Sequence, residues 1–117
     1  MKVIDIIKRN KPSLSFEVFP PKTHDNLENV MASASAIADL SPSYMSVTYG
    51  AGGTTAAYTA EIASSLLMKG VTPVAHLTCV SATCDSIRER LSDLRARGIE
   101  NILALRGDLP EGIVPIT

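Results

Sequence analysis

Four polar residues of types that are used in catalysis lie at or just past the ends of four short apolar runs of this chain. They are Glu17, Thr48, His76 and Asp108. They recur at intervals of about 30 residues, which is the length of one strand and one helix. Because the carboxyl ends of parallel strands meet at one edge of a sheet, these side chains would lie close together there. The spacing therefore predicts a parallel β/α fold with its functional site at the carboxyl edge of the sheet.

Glu17 carries the sharpest indication of catalysis. It lies in the apolar segment 16–19, directly before two prolines. An ionised carboxylate costs free energy to bury, so this side chain must either be paired or hold a proton near neutral pH. Holding a proton near neutral pH is what a general acid requires. The alternatives are that Glu17 faces a polar surface, or that it pairs with a basic residue such as Lys22 or Arg106.

Two other strand ends carry candidate groups. Arg106-Gly107-Asp108 follows the fourth apolar run and places a cation, a flexible backbone and an anion together. Gly107 would let a ligand approach the main chain closely, whereas an ion pair between Arg106 and Asp108 at a turn is the alternative. A lone histidine in a strand is more often a core residue than a catalyst, but the alignment of His76 with the other strand ends makes the two interpretations equal.

The loop after Thr48 is rich in glycine. Gly50-Ala51-Gly52-Gly53 precedes a predicted helix and is compatible with an anion-binding cradle at its N-terminus. The loop has neither the lysine of a P-loop nor the spacing of a dinucleotide-binding turn. A tight β/α turn is therefore the favoured interpretation.

The composition is that of one globular domain over residues 1–117. Of the 117 residues, 45% are hydrophobic and 20% are charged, and the formal net charge is −1. Near-neutral charge and the lack of tryptophan give no reason to expect a nucleic-acid or membrane partner. Residues 1–10 are too short and too charged for a signal peptide, and we expect an amphipathic turn that packs on the domain.

The two cysteines indicate whether the cellular compartment is reducing or oxidising. Cys79 and Cys84 are separated by four residues, with no second cysteine pair. A zinc site needs about four ligands, which these residues and two scattered histidines do not supply. We expect two free thiols in a reducing compartment, and the cytoplasm is the predicted location.

Hydrophobic periodicity predicts a βαβαβαβ order of elements. The strands are expected at residues 14–19, 44–49, 72–77 and 101–105. Strands that alternate with helices of about 14 residues indicate a parallel sheet with helices packed on it. The fold class is therefore α/β.

Sequence signals also place the ends of the helices. Asp25 and Glu28 resemble a capping box at the start of the first helix, and Thr54 or Thr55 could cap the second. Thr83 is a candidate cap for the third. Glycines 70 and 98 follow the second and third apolar stripes and are expected to end those helices.

The third helix is predicted to bury one face and expose the other. Its buried face is expected to be Ile87, Leu91 and Leu94. Its other face carries arginines interleaved with acidic residues. That pattern favours a solvated surface over a phosphate-binding one.

The length of the chain limits the number of β/α units that it can form. A complete eightfold β/α barrel needs about 250 residues. This chain has 117 residues and holds about three and a half β/α units. We therefore expect either a small open sheet or the first part of a TIM-type barrel whose C-terminal half is absent.

Four segments together resemble the methylenetetrahydrofolate reductases. They are SFEVFPPK at 15–22, SVTYGAGGTT at 46–55, AHLTCV at 75–80 and NILALRGDLP at 101–110. Four motifs in order at one β/α spacing are specific, although each alone is modest. The resemblance implies a flavin-dependent β/α barrel. In that family FAD takes hydride from NAD(P)H and then reduces 5,10-methylenetetrahydrofolate to 5-methyltetrahydrofolate.

The resemblance also implies roles for individual residues. Glu17 resembles the general acid that opens the methylene bridge of the folate towards an iminium ion. Asp108 resembles the carboxylate near flavin and pterin that favours this cation, so both acids would contact substrate. The positions that resemble those lining the flavin are Thr48, Tyr49, Ala51, His76, Arg106, Gly107 and Asp108.

Two departures from the family pattern limit these expectations. Val18 stands where many members have phenylalanine, which is a mild change. The later strands, which supply the remaining flavin, folate and nicotinamide contacts, are missing, so we expect negligible turnover from the 117 residues alone.

Two other interpretations remain open. One is a non-catalytic half-barrel that binds flavin or pterin weakly or assembles with a complementary chain, and a homo-oligomer is possible. The other is an unrelated β/α enzyme. The preference between NADH and NADPH does not follow from these residues.

Overall fold

The described part of the chain forms four strands and four helices. The computed structural model describes residues 1–9, 11–49, 55–80 and 82–107. The strands are β1 (Ser15–Val18), β2 (Tyr44–Val47), β3 (Pro73–Thr78) and β4 (Asn101–Leu105). The helices are α1 (Val3–Ile7), α2 (Leu27–Ala38), α3 (Thr55–Met68) and α4 (Cys84–Ala96), and a single 3-10 turn (His24–Asn26) precedes α2.

The strands form one parallel sheet in the order β1-β2-β3-β4. Each of α2, α3 and α4 connects one strand to its immediate neighbour, so the chain always advances in the same direction. Right-handed crossovers that never reverse place these helices on the same face of the sheet. A doubly wound sheet, by contrast, reverses its strand order at a switch point. The predicted α/β class is confirmed, and the topology is consistent with a portion of a TIM-type barrel.

One face of the sheet packs against the helices. Val18, Met45, Val47 and Ala75 alternate with polar residues along their strands and are at most 8% exposed. They pack against the inner faces of α2 and α3 in one core cluster. Two sequence patterns produce this layer. Apolar residues recur with a period of two in the strands and at i, i+3 and i+4 in the helices. The most deeply buried helical members are Ala34, Ile62, Ala63 and Leu66.

The helix starts agree only in part with the sequence signals. Thr83 forms the predicted cap of α4, in a reciprocal capping box with Ser86. The predicted capping box of Asp25 and Glu28 is wrong, because residues 24–26 form the 3-10 turn and α2 begins at Leu27 without a side-chain cap. The 3-10 turn continues directly into α2, so the chain is already turning where a capping side chain would act. Thr54 lies outside the described residues.

The predicted helix ends are confirmed. Gly70 and Gly98 follow α3 and α4 with φ of +87° and +82°. A residue with positive φ directly after a helix ends it, and glycine adopts this conformation at the least cost.

The buried face of α4 differs from the prediction. Leu94 is buried, but Leu91 is 39% exposed, so its assignment to the core was wrong. The inward position is taken by Arg90, whose guanidinium carbon lies 5.4 Å from the centre of the Tyr49 ring. Residues 90 and 94 share a helix face, and residue 91 is rotated by about 100° from residue 90. The Arg90 guanidinium thus lies over the ring face in a cation–π contact.

The N-terminal helix α1 packs on the domain, as predicted for this segment. Ile6 of α1 is 5% exposed. The backbone N–H of Val3 donates to Asn101 Oδ1 at 2.9 Å, and Asn101 Nδ2 donates to the Met1 carbonyl at 3.0 Å. Asn101 is the first residue of β4, so α1 is tied to the amino edge of the sheet, opposite the predicted site. Among the described residues, no helix combines the length and the apolar character needed to cross a bilayer.

Candidate functional site

The second face of the sheet carries the candidate catalytic groups. Because Val18, Val47 and Ala75 point to the helices, the residues before and after them point the other way. We call this the open face, since α2, α3 and α4 pack on the other one. Its members include Glu17, Ser46, Val74, His76, Thr78, Leu103 and Leu105.

Glu17 is held by residues from the next two strands. Ser46 is its partner in the β1–β2 register, and the Ser46 hydroxyl donates to Glu17 Oε1 at 3.0 Å. His76 Nε2 lies 3.4 Å from the same oxygen. The Glu17 side chain is 46% exposed and that of His76 is 13% exposed. The carboxyl group is therefore half-exposed and held by side chains from β2 and β3.

This pairing corrects one expectation. The alternative in the sequence pairs Glu17 with Lys22 or Arg106, but within the described part of the chain its basic neighbour is His76. The alternation of β3 explains this, since His76 follows Val74 by two residues and Val74 is level with Ser46. The imidazole thus shares a face with Glu17 and lies one step nearer the carboxyl edge.

Ser46 is a site residue that the sequence analysis did not select. Serine is common in strands and loops, so its type alone carries little information. The available signal was its position one period of two before Thr48, on the same face as the selected strand ends.

Thr48 is fixed through its backbone. Its N–H donates to the Val18 carbonyl at 2.9 Å, and its carbonyl accepts a hydrogen bond from Thr59 Oγ1 at 2.8 Å. Thr59 is 2% exposed and lies on the inner face of α3. A buried hydroxyl from α3 thus holds the carboxyl end of β2. Sequence reasoning did not select Thr59, although it lies three residues before the buried Ile62.

Tyr49 follows β2 and packs towards α4. Its ring packs against Arg90 of α4, and its hydroxyl oxygen is buried without a hydrogen-bond partner among the described residues. Burial raises the pKa of this phenol, the Arg90 charge opposes the increase, and Cys79 adds to it. The ring borders a cavity of about 400 Å³ between α3 and α4. Its assignment to the flavin site stays a prediction.

The end of β4 brings a glycine against β3. Gly107 has φ of +84°, and a Cβ at this position would collide with Cγ2 of Thr78. Val80 N–H donates to the Arg106 carbonyl at 2.8 Å, which extends the pairing of β3 with β4. Glycine is therefore required here by a neighbouring side chain and by the backbone angle, independently of any ligand.

Arg106 presents a cation at this edge. Its side chain is exposed, and its Nε donates to the Gly107 carbonyl at 3.2 Å. Within residues 1–107, as far as they are described, no carboxylate forms an ion pair with it. Asp108 lies outside the described residues, and so does the predicted ion pair. Ala51 and the glycine-rich loop also lie outside them.

The cysteines are both exposed and unpaired. No group of three or more His, Cys, Asp or Glu side chains with a geometry for metal binding occurs among the described residues. The chemistry that the described open face offers is therefore that of a carboxyl group beside an imidazole and a hydroxyl.

Fold and site define a β/α domain of the barrel type with a carboxylate and an imidazole on its open face. The sequence profile of the family described as methylenetetrahydrofolate reductase matches residues 2–114. This chain belongs to the methylenetetrahydrofolate reductase family, as the four motifs indicated.

Individual relatives support this assignment. The Arabidopsis thaliana protein named methylenetetrahydrofolate reductase (NADH) 1 is 42% identical over 117 residues, which cover 96% of this chain and 20% of that protein. The Escherichia coli (strain K12) 5,10-methylenetetrahydrofolate reductase is 39% identical over 101 residues, which cover 86% of this chain and 34% of that protein. The chain thus spans about a fifth of the plant relative and about a third of the bacterial one.

Proposed function

We propose that this chain supplies the acid-bearing part of the active site of a flavin-dependent reductase. The reaction is the reduction of 5,10-methylenetetrahydrofolate to 5-methyltetrahydrofolate with NAD(P)H. The observation that carries the proposal is the Glu17 carboxyl group, half-exposed on the open face and held by Ser46 beside His76. Family membership supports the substrate and the reaction type.

FAD is the proposed cofactor, and the residues at the carboxyl edge fit it. The exposed Arg106 has no carboxylate partner among the described residues, so its guanidinium is available to an anionic phosphate group. Thr48 and His76 add a hydroxyl and an imidazole at neighbouring strand ends. When bound, FAD supplies the hydride-transfer chemistry between NAD(P)H and the folate. Tyr49, Ala51 and Gly107 complete the set of residues proposed to line it.

Glu17 is proposed as the general acid for opening the methylene bridge. Its carboxyl group gives a proton to an amine nitrogen of the bridge, and the carbon–nitrogen bond breaks to leave an iminium ion. His76 stabilises the carboxylate that remains, because an imidazole 3.4 Å away can present an N–H or a positive charge to it. Asp108 is proposed to favour the cationic folate electrostatically.

Replacement of Glu17 by glutamine tests the proposal. In the complete flavin-loaded reductase that carries these residues, we expect Glu17→Gln to slow folate-driven flavin reoxidation by about 100-fold or more. Flavin reduction by NAD(P)H should change less than twofold, because the acid acts only on the folate. Stopped-flow absorbance measures both half-reactions separately.

A matched control is available on α2. Glu28 lies exposed in the first turn of that helix, away from the open face. Glu28→Gln should leave both half-reactions unchanged. Folate-driven reoxidation that survives Glu17→Gln would remove Glu17 from the role of acid.

The second candidate function is a non-catalytic module that binds flavin or pterin or assembles with a complementary chain. The observation that favours it is the apolar character of the uncovered β4, where Leu103 is 48% exposed. We propose negligible turnover for the 117 residues alone, because the described strands supply only one side of a barrel interior. Retained flavin absorbance after removal of free dye, without NAD(P)H oxidation, would support the module.

Reductant, location and assembly complete the proposal. The names of the Arabidopsis and maize relatives specify NADH, which makes NADH the first reductant to assay. A cytoplasmic location agrees with two exposed, unpaired cysteines. A homo-oligomer is the proposed state if the open face is covered by a second copy, and light scattering of the purified chain measures it.

A further inference from the structure

Both contacts of the Glu17 carboxyl group converge on one of its two oxygens. Ser46 Oγ lies 3.0 Å from Oε1 and His76 Nε2 lies 3.4 Å from the same atom. Within the described residues, Oε2 has no hydrogen-bond or ion-pair partner. We infer that Ser46 is a positioning residue, which occupies Oε1 and thereby makes Oε2 the oxygen that carries and delivers the proton. This inference rests on the proposed function of Glu17.

The geometry of the strands makes Ser46 suited to this role. Ser46 is the direct register partner of Glu17, on a strand that is paired on both sides. Its backbone therefore has little freedom, and its short side chain reaches the carboxyl group across one strand spacing. His76 approaches from the strand beyond. Side chains from two strands, β2 and β3, thus contact Oε1.

A hydroxyl can donate or accept, and in the proposed arrangement Ser46 donates to Oε1. An oxygen that accepts this bond is the carbonyl-like oxygen of a neutral carboxyl group, so the acidic proton resides on the other oxygen. A neutral Glu17 therefore carries its proton on Oε2, which keeps this proton free for substrate.

The same contact acts after proton transfer. The O–H bond at Oε2 breaks as an N–H bond forms on the folate amine, and the electrons of the O–H bond stay on the carboxylate. The electrons of the breaking carbon–nitrogen bond go to the protonated amine. The Ser46 hydroxyl then donates to a charged oxygen, and such bonds are stronger than those to neutral acceptors. Ser46 should thus help most in the step that generates the carboxylate.

The test is Ser46→Ala in the complete flavin-loaded reductase. We expect folate-driven flavin reoxidation to slow by about 10-fold, which is the scale of one hydrogen bond to a charged group. NAD(P)H-driven flavin reduction should stay within twofold of the unsubstituted enzyme, and a merely structural role would not separate the two rates. Ser46→Thr keeps the hydroxyl on a residue that strands favour, and should recover most of the loss.

Ser15→Ala is the matched control. Ser15 lies on β1 two residues before Glu17, on the same face, and its side chain makes no hydrogen bond within the described part of the chain. Its replacement should leave both half-reactions unchanged. Equal effects of Ser15→Ala and Ser46→Ala on reoxidation would overturn the inference.

A double-mutant cycle separates this inference from the proposed function. If Ser46 acts through Glu17, Ser46→Ala should cause no further loss in a Glu17→Gln background. Independent, multiplying effects would overturn the positioning role while leaving Glu17 as the acid. If Glu17→Gln alone leaves reoxidation unchanged, the proposed function fails first. Urea unfolding of each variant identifies any loss of rate that comes from loss of fold.

Discussion

The two faces of the sheet are built from the same strands but differ in chemistry. On the helix-covered face, Met45, Val47 and Ala75 are fully buried. On the open face, one residue away along each strand, lie Ser46 and His76 around the Glu17 carboxylate. The pleat of a strand sends neighbouring side chains to opposite sides, so one short segment serves both stability and function. Substitutions one residue apart should therefore have effects of different kinds.

The largest loss of stability is expected on the helix-covered face. Leu66 of α3 is fully buried in the core cluster. Leu66→Ala should lower the free energy of unfolding by about 2–5 kcal/mol, since it loses apolar contact and leaves a cavity. Urea unfolding followed by circular dichroism measures this. Leu40→Ala, at a position that is 69% exposed, is the control and should change it by less than about 0.5 kcal/mol.

A smaller loss is expected where β4 meets β3. Gly107→Ala introduces a Cβ that collides with Thr78, at a backbone angle that disfavours alanine. We expect a loss of about 1–3 kcal/mol. Gly70→Ala is a matched control, because Gly70 also has a positive φ but has open space around it. If both variants lose equal stability in urea, the contact with Thr78 adds nothing.

The buried phenol of Tyr49 gives a prediction for stability and for its pH dependence. Its hydroxyl is buried without a described partner, so Tyr49→Phe should leave stability at pH 7 unchanged or raise it by up to about 1 kcal/mol. The pKa of Tyr49 is raised in the folded chain. The stability from its neutral form is therefore present below pH 10, the unfolded value, and is lost as pH rises through the folded value.

The pH dependence of unfolding tests whether stability falls as the pH rises through the pKa of Tyr49. Between pH 9 and the point where the chain unfolds, the unsubstituted protein should lose stability faster than Tyr49→Phe. Parallel curves for the two proteins would mean that the phenol does not titrate with folding.

The smallest change in stability is expected at the residue with the largest proposed effect on catalysis. The Glu17–His76 pair is half-exposed on the glutamate side, and such pairs contribute about 0–1 kcal/mol after solvent screening. Glu17→Gln should therefore change the free energy of unfolding by less than about 1 kcal/mol. A loss as large as that of Leu66→Ala would make Glu17 a structural residue and would remove the contrast between the faces.

Local sequence signals were most reliable where the structure depends on a few neighbouring residues, as at the ends of helices. Thr83 was identified as the cap of α4, and Gly70 and Gly98 were identified as the ends of α3 and α4. The resemblance of four motifs identified the family before any contact was known.

Two local predictions failed because a competing contact intervened. Leu91 is more apolar than Arg90, yet the orientation of α4 turns Arg90 inward over the Tyr49 ring. The Asp25–Glu28 box did not form, because a 3-10 turn took its place. In both cases the sequence pattern was present, but the local structure differs from the one that the pattern predicts.

The sequence by itself determined the order of strands and helices and the family, because these follow from local periods and from residue types at set spacings. It could not show that Glu17 would meet His76 rather than Lys22 or Arg106, or that Ser46 would hold it. Those contacts join residues about 30 to 60 positions apart and depend on the strand register. Register is set only when the helices pack on one face of the sheet, so the tertiary structure decided the site.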